Sequence, residues 1–269
     1  MNFNVLAAIG LSVFAGLSTG IGGLILLLFK KVNTKVLSIA LGFSAGVMIY
    51  VSFVEILPEA KKFLQKAYSG SKGDWVTFIA FFMGIFLIGI IDKLVPENEN
   101  PHEPQKVEQL DVCGFGQNSQ KLIKTGKMAA LAITIHNFPE GLATFVSGMN
   151  ELSLGIAIAV AVAIHNIPEG ISVALPIYCA TGDKKKAFYM SLLSGLAEPV
   201  GAILAFLILS PFLNDAVFGI IYASIAGIMV FISFDELLPA AREYGEHHLS
   251  ILGLICGMIV MGLSLLLLG

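Results

Sequence analysis

Eight long apolar stretches alternate with shorter polar segments along the chain. They cover about 5–29, 36–57, 76–94, 123–147, 152–178, 186–209, 215–239 and 249–268. Most of them have the roughly 20 residues with which an α-helix crosses about 30 Å of hydrocarbon. Backbone polar groups in lipid must be satisfied within the spanning segment, so each stretch is predicted to be a transmembrane helix.

The composition agrees with this pattern, because 56% of the residues are hydrophobic and 13% are charged. Soluble domains are about one quarter charged. We therefore expect an all-α integral membrane protein with one transmembrane domain over residues 1–269. The lipid bilayer around it is expected to be a plasma membrane, and specifically a bacterial inner membrane.

The distribution of basic residues predicts the orientation of the helices. Twelve of the 16 Lys and Arg fall in the first, third, fifth and seventh connections, and four fall in the others. Since cytoplasmic loops are enriched in Lys and Arg, both termini are expected to lie outside. The longest connection, about 96–122, is then a flexible cytoplasmic loop. Lys184, Lys185 and Lys186 are typical of such orientation signals, so no nucleic-acid partner is predicted.

A six-residue block occurs twice inside the apolar stretches, as HNFPEG at 136–141 and as HNIPEG at 165–170. Residues four apart share one helix face, so His136 is expected to lie over Glu140 and His165 over Glu169. Two such helices supply two imidazoles and two carboxylates, and the asparagines of both blocks add two amides. This mixed nitrogen and oxygen set suits Zn²⁺, Fe²⁺, Mn²⁺ or Co²⁺ better than Ca²⁺ or Mg²⁺.

The proline of each block favours the same interpretation. Pro139 and Pro168 lack an N–H, which frees the carbonyls of Ile135 and Ile164 for metal or water. The alternative is a kinked helix whose His and Glu only hydrogen-bond a neighbour. An ionised residue at the bilayer centre costs about 2.5 to 3.5 kcal/mol on insertion scales, and a purely structural role does not account for several of them.

A second repeat relates residues 45–60 to residues 226–241, in which nine of sixteen positions match without gaps. The loop charges predict that these two helices run in opposite directions, and the two helices with the HNxPEG blocks do so as well. Together they predict an inverted repeat of three, two and three helices. Secondary transporters with inverted repeats bind their substrate near the bilayer midplane, at the interface between the repeats.

Five further residues are candidates for the same site or its pathway. Glu198 lies centrally in the sixth stretch and is expected to complete a second metal position. Glu55 and Glu236 lie nearer the opposite ends of their helices, and they are either entrance and exit carboxylates or interfacial acids solvated by water. Asp235, directly before Glu236 in the sequence, is a further candidate for the pathway. Met48 is either a soft thioether ligand or a packing residue.

The paired blocks resemble those of the ZIP (Zrt/Irt-like protein) metal transporters, and the whole chain resembles the bacterial type within that family. The resemblance implies eight spans with outer termini, a homodimer, and a sliding of the first, fourth, fifth and sixth helices against the others. It also implies a binuclear metal site. One position is formed by His136, Glu140, His165 and Glu169, the other by Asn137, Glu140, Asn166, Glu169 and Glu198, and Met48 lines the first position in some members.

These features predict an uptake transporter whose substrate is a divalent transition metal, first Zn²⁺ and then Fe²⁺, Mn²⁺ and Co²⁺, with no cofactor. An intramembrane metallopeptidase is the enzyme alternative, because His136 and Glu140 have the spacing of a zinc-binding helix. It is disfavoured, since neither block has the Glu directly after the first His that acts as general base. An exporter with the same ligands is the remaining alternative.

Overall fold

The computed structural model describes residues 3–28, 34–94, 119–209, 212, 214–244 and 247–268. Within these residues the long elements are helices, in the order α1 Phe3–Leu28, α2 Thr34–Val51, α3 Leu57–Ala67, α4 Lys72–Leu94, α5 Ser119–Asn150, α6 Leu152–Thr181, α7 Lys184–Gly195, α8 Ala197–Leu209, α9 Asp215–Ile232, α10 Leu238–Tyr244 and α11 His247–Leu268. Residues 96–118 of the loop predicted at about 96–122 lie outside the described residues, and 119–122 belong to α5.

The described residues contain seven helical stretches that are long and apolar enough to cross a membrane. They are Asn4–Ile25, Ser38–Ala67, Lys72–Lys93, Leu152–Leu175, Lys184–Ile208, Asp215–Arg242 and His247–Leu267. The longest helix, α5 with 32 residues, is not among the seven. The prediction of a helical, multi-pass membrane protein is therefore confirmed.

A π-helical turn joins α2 to α3 at Ser52–Ile56, and another joins α9 to α10 at Ser233–Leu237. In the first turn the N–H of Leu57 donates to the carbonyl of Ser52, five residues back. Pro58 follows directly and has no N–H, so the regular bond to the fourth residue back cannot form there. The second turn has the same bond from Leu238 and the same proline after it. The repeat of residues 45–60 at 226–241 thus includes a repeated local widening of the helix.

The second membrane helix extends further than the apolar pattern indicates. The predicted stretch ends near residue 57, whereas α3 continues to Ala67. This extension is amphipathic, with Ala60 and Leu64 buried and Lys61 and Lys62 exposed. It packs against α4 and α9. These tertiary contacts stabilise the helix beyond residue 57, where the charged residues had indicated that it would end.

The helices pack in corresponding pairs. The contact of α1 with α6 corresponds to that of α5 with α8, and the contact of α2 with α11 corresponds to that of α4 with α9. The first π-helical turn packs on α9 and the second on α2. The two central helices, α5 and α6, also pack against each other. The HNxPEG blocks on these two helices are therefore enclosed by α1, α2, α7 and α8.

Candidate metal centre

Three ligand-type side chains from α5 and α6 meet in the interior. Glu140, His165 and Glu169 each direct one ligand atom into a group whose atoms all lie within 4.8 Å of one another. The Nε2 atom of His165 lies 3.1 Å from Oε1 of Glu140. All three side chains are excluded from solvent, with relative exposures of 0 or 1%. This is the group of candidate ligands that the structure brings together within the part of the chain it describes.

The two asparagines hold equivalent places on either side of this group. Asn137 donates its amide N–H to the carbonyl of Ser194 on α7 at 3.2 Å, and Asn166 donates to the carbonyl of Ala15 on α1 at 3.1 Å. Both side chains are fully buried. Neither Oδ1 atom has a hydrogen-bond partner among the described residues. The amide nitrogens are therefore anchored to backbone, and the amide oxygens are available to a cation.

Glu198 is connected to the site through Asn166, whose amide nitrogen donates to its carboxylate. The side chain of Glu198 is fully buried. It lies beside a break in the sixth predicted helix, which is divided at Leu196 into α7 and α8. Pro199 explains the break, since it cannot donate to the carbonyl of Gly195. The backbone hydrogen bonds from Leu196 to Leu192 and from Val200 to Leu196 continue on both sides of it, so the predicted stretch 186–209 has a local irregularity at this point.

The glycine of each block allows a close helix contact. A Cβ atom at Gly141 would lie 2.0 Å from the carbonyl oxygen of Glu198, and one at Gly170 would lie 1.9 Å from that of Thr19. No side chain fits at either position without a shift of the backbone. These contacts hold α5 against α8 and α6 against α1, and they fix the depth at which the ligand side chains meet.

The other predicted residues have more varied positions. Met48 is fully buried on α2. Glu55 and Glu236 are half-buried within the two π-helical turns, and Asp235 beside Glu236 is exposed. His136 belongs to α5, but its side chain lies outside the described part of the structure.

A buried hydroxyl completes the surroundings of the cluster. Ser44 on α2 donates to the carbonyl of His165 at 2.9 Å and lies 3.3 Å from Oε1 of Glu169. The sequence interpretation did not include this residue. The sequence feature that could have indicated a role for Ser44 is its position one turn before Met48, which places both residues on the same face of α2.

The buried imidazole, carboxylate and amide groups on two central helices define a membrane protein with a candidate internal cation-binding site. A family model described as ZIP Zinc transporter matches residues 5–265 of the chain. The chain therefore belongs to the ZIP family, whose members are transporters and not enzymes. The resemblance of the paired blocks to this family is confirmed.

Similar proteins named Zinc transporter ZupT match nearly the whole chain. The protein of Oceanobacillus iheyensis is 60% identical over 265 residues, which cover 98% of this chain and 99% of the relative. That of Lysinibacillus sphaericus is 59% identical over 268 residues, covering 100% of both. That of Streptococcus mutans is 58% identical over 267 residues, covering 99% of both.

Proposed function

We propose that the protein carries Zn²⁺ through the plasma membrane into the cytoplasm. The observation that carries this proposal is the buried group of Glu140, His165 and Glu169 between two central helices of a membrane protein. The metal is the transported substrate and not a resident cofactor. The relatives named as zinc transporters, which are 58 to 60% identical, support the choice of Zn²⁺.

A divalent cation accounts for the charges in this group. Two carboxylates whose oxygens approach so closely, and from which water is excluded, repel each other unless a positive charge lies between them. The imidazole of His165 beside Glu140 offers a neutral nitrogen donor to the same ion. Glu140 and Glu169 together neutralise the two charges of the metal, so the loaded site is close to neutral and suited to a low-dielectric interior.

The geometry also fits a first-row transition metal. Zn²⁺ binds His nitrogen and carboxylate oxygen at about 2.0 to 2.2 Å, so two ligand atoms of one ion lie no more than about 4.4 Å apart. The ligand atoms of the observed group all lie within 4.8 Å of one another, which is close to this separation. Fe²⁺, Mn²⁺ and Co²⁺ accept the same donors and are proposed as further substrates.

We propose two adjacent metal positions that share the carboxylates. The contacts of Asn166 with Glu198, and the amide oxygens that remain available on both asparagines, support the second position. His136 is included in the first position because of its spacing from Glu140 in the sequence. The proposed ligands are His136, Glu140, His165 and Glu169 in the first position, and Asn137, Glu140, Asn166, Glu169 and Glu198 in the second.

The pathway on either side of the metal positions is proposed to include Met48, Glu55, Asp235 and Glu236. Met48 is supported by its burial on the helix that packs against α6. Glu55 and Glu236 are supported by their half-buried places in two equivalent π-helical turns. Wide turns of this kind are frequent at functional sites, because they redirect side chains and backbone carbonyls.

The membrane arrangement is part of the proposal. We propose eight crossings, with α5 as the eighth, both termini outside, and the bacterial inner membrane as the location. The 12 of 16 basic residues in the connections assigned to the cytoplasm support the orientation. A homodimer in the lipid bilayer is proposed from the family resemblance.

Movement of α5 is supported by the space behind it. A cavity of about 560 Å³ separates the Pro139 side of α5 from α4 and α9. Its lining is apolar except for Thr134 and Ser224, whose hydroxyls donate to the carbonyls of Ala130 and Ala80. The first, fourth, fifth and sixth membrane helices are proposed to slide as a group against the rest, carrying the metal across.

The test is Zn²⁺ uptake by proteoliposomes in which the protein has a known orientation. Wild type is expected to accumulate zinc down an imposed inward gradient, and Glu140→Ala and His165→Ala are expected to lose uptake. Asp74→Ala, which removes an exposed carboxylate at the start of α4, is the matched control and should retain it. Unchanged uptake in well-folded Glu140→Ala and His165→Ala protein would refute the assignment. Transport only against the proposed direction would favour the exporter.

A further inference from the structure

Ser44 is a fully buried serine of α2 that contacts the metal centre from outside the two central helices. Its helix packs most extensively on α11 and also contacts α6, which carries His165 and Glu169. The hydroxyl therefore lies at the boundary between the α2–α11 pair and the helices that hold the ligands. We propose that Ser44 is a positioning residue, which orients Glu169 for metal binding.

The hydroxyl of Ser44 has two acceptors on α6. The carbonyl oxygen of His165 lies 2.9 Å from Oγ, and Oε1 of Glu169 lies 3.3 Å from it. A serine hydroxyl has one proton, so it donates mainly to the nearer acceptor and shares the proton with the farther one. One side chain on α2 thus restrains both the backbone of the ligand helix at His165 and the carboxylate one turn later.

The restraint matters because Glu169 belongs to both proposed metal positions. Its side chain must present one oxygen to the group formed with Glu140 and His165, and the other to the second position. In the absence of Ser44 the carboxylate would keep its burial but lose a directional contact. More rotamers would then be populated, and a larger ordering cost would accompany metal binding.

The chain offers a matched control on the same helix. Ser38 is also fully buried, and its hydroxyl donates to the carbonyl of Ala241 on α10 at 2.6 Å. Ser38→Ala therefore removes a buried interhelical hydrogen bond of α2 without touching a ligand. Ser44→Ala makes the same chemical change beside the ligand, and the difference between the two variants isolates the effect on the site.

The experiment measures initial rates of Zn²⁺ uptake over a range of zinc concentrations in proteoliposomes, together with the thermal stability of each purified variant. Ser44→Ala is expected to raise KM about three- to tenfold and to change the maximal rate by less than about twofold, as for loss of one ordinary hydrogen bond, since the hydroxyl donates mainly to the neutral carbonyl. Ser38→Ala should leave KM unchanged. Ser44→Thr retains the hydroxyl, and its KM should stay closer to that of wild type than to that of Ser44→Ala.

Two results would overturn the inference. The first is a KM for Ser44→Ala equal to those of wild type and Ser38→Ala, and the second is an equal rise of KM in Ser44→Ala and Ser44→Thr, which would assign the effect to packing. The inference rests on the proposed zinc transport, but different results would refute the transport function and the role of Ser44. Absence of uptake by wild type would refute the function, whereas normal uptake by wild type with an unchanged KM in Ser44→Ala would refute only the role of Ser44.

Discussion

The helix α1 and the broken helix α7–α8 surround the metal centre from two sides with equivalent backbone contacts. Asn166 donates to a carbonyl of α1, and Asn137 donates to the corresponding carbonyl of α7. Gly170 lies against α1 as Gly141 lies against α8. The two sides also meet each other at Gly16 and Gly195, where an added Cβ on either would approach the other's carbonyl within 2.3 Å or less.

The side chains at the corresponding positions differ. The carbonyl beside Gly170 belongs to Thr19, and the carbonyl beside Gly141 belongs to Glu198. Glu198 provides a buried carboxylate that accepts from Asn166. Thr19 provides a buried hydroxyl whose oxygen has no hydrogen-bond partner among the described residues. The duplicated backbone thus carries a proposed metal ligand on one side only, so the two proposed metal positions are not equivalent.

The largest expected effect tests this difference directly. Glu198→Ala is expected to lower zinc uptake by about a hundredfold or more, since loss of even an outer-shell partner of a metal costs about 10- to 100-fold. Thr19→Val keeps the side-chain shape and should leave uptake within about twofold of wild type. The measurement is the initial uptake rate at equal protein content in proteoliposomes. Similar losses in both variants would show that the two sides contribute equally.

A second prediction concerns what the two sides have in common. Gly141→Ala and Gly170→Ala each place a Cβ about 2 Å from a backbone carbonyl, and overpacking of this kind costs about 1 to 3 kcal/mol. Both variants should therefore be destabilised by similar amounts. Gly10→Ala is the control, because a Cβ there meets nothing within 4 Å. It should be neutral or stabilising, since Ala favours a helix over Gly by about 1 kcal/mol.

Thermal unfolding of the purified proteins is the measurement for these three variants. A large loss for Gly170→Ala with none for Gly141→Ala would mean that α6 is held at α1 more tightly than α5 is held at α8. The two sides would then be equivalent in sequence position but not in their contribution to stability.

Much of the central site was predictable because its chemistry is duplicated within short helical segments. The spacing of His165 and Glu169 places both on one face of a helix whatever the rest of the fold does. The repeat of the block then predicts the facing helix with Glu140. Glu198 was also predictable, because a carboxylate in the middle of an apolar stretch requires a partner.

The remaining features depend on contacts between segments far apart in the sequence. Ser44 looks like an ordinary small residue of a membrane helix until α6 is placed beside it. The extension of α3 beyond Pro58 depends on packing against α4 and α9, which the local charges do not reveal. The irregularity at Leu196 is different, because it had a local signal in Pro199, which removes one backbone donor from the helix.

The smallest expected effect concerns two serines that bond the sides of the site to neighbouring helices. Ser191 on α7 donates to the carbonyl of Thr19 at 2.7 Å, whereas Ser12 on α1 lies 3.2 Å from the carbonyl of Gly141 and 3.4 Å from that of Ala8. Loss of one short interhelical hydrogen bond costs about 1 kcal/mol, so Ser191→Ala should be destabilised by about that amount.

Ser12→Ala should be destabilised by less, roughly half as much, because its proton is divided between two distant acceptors, one of them within its own helix. Both side chains are fully buried, so the comparison is not affected by solvent exposure. Thermal unfolding of the two variants under identical conditions measures the difference. A greater loss for Ser12→Ala would mean that the hydrogen bond from α1 to α5 stabilises the protein more than the bond from α7 to α1 does.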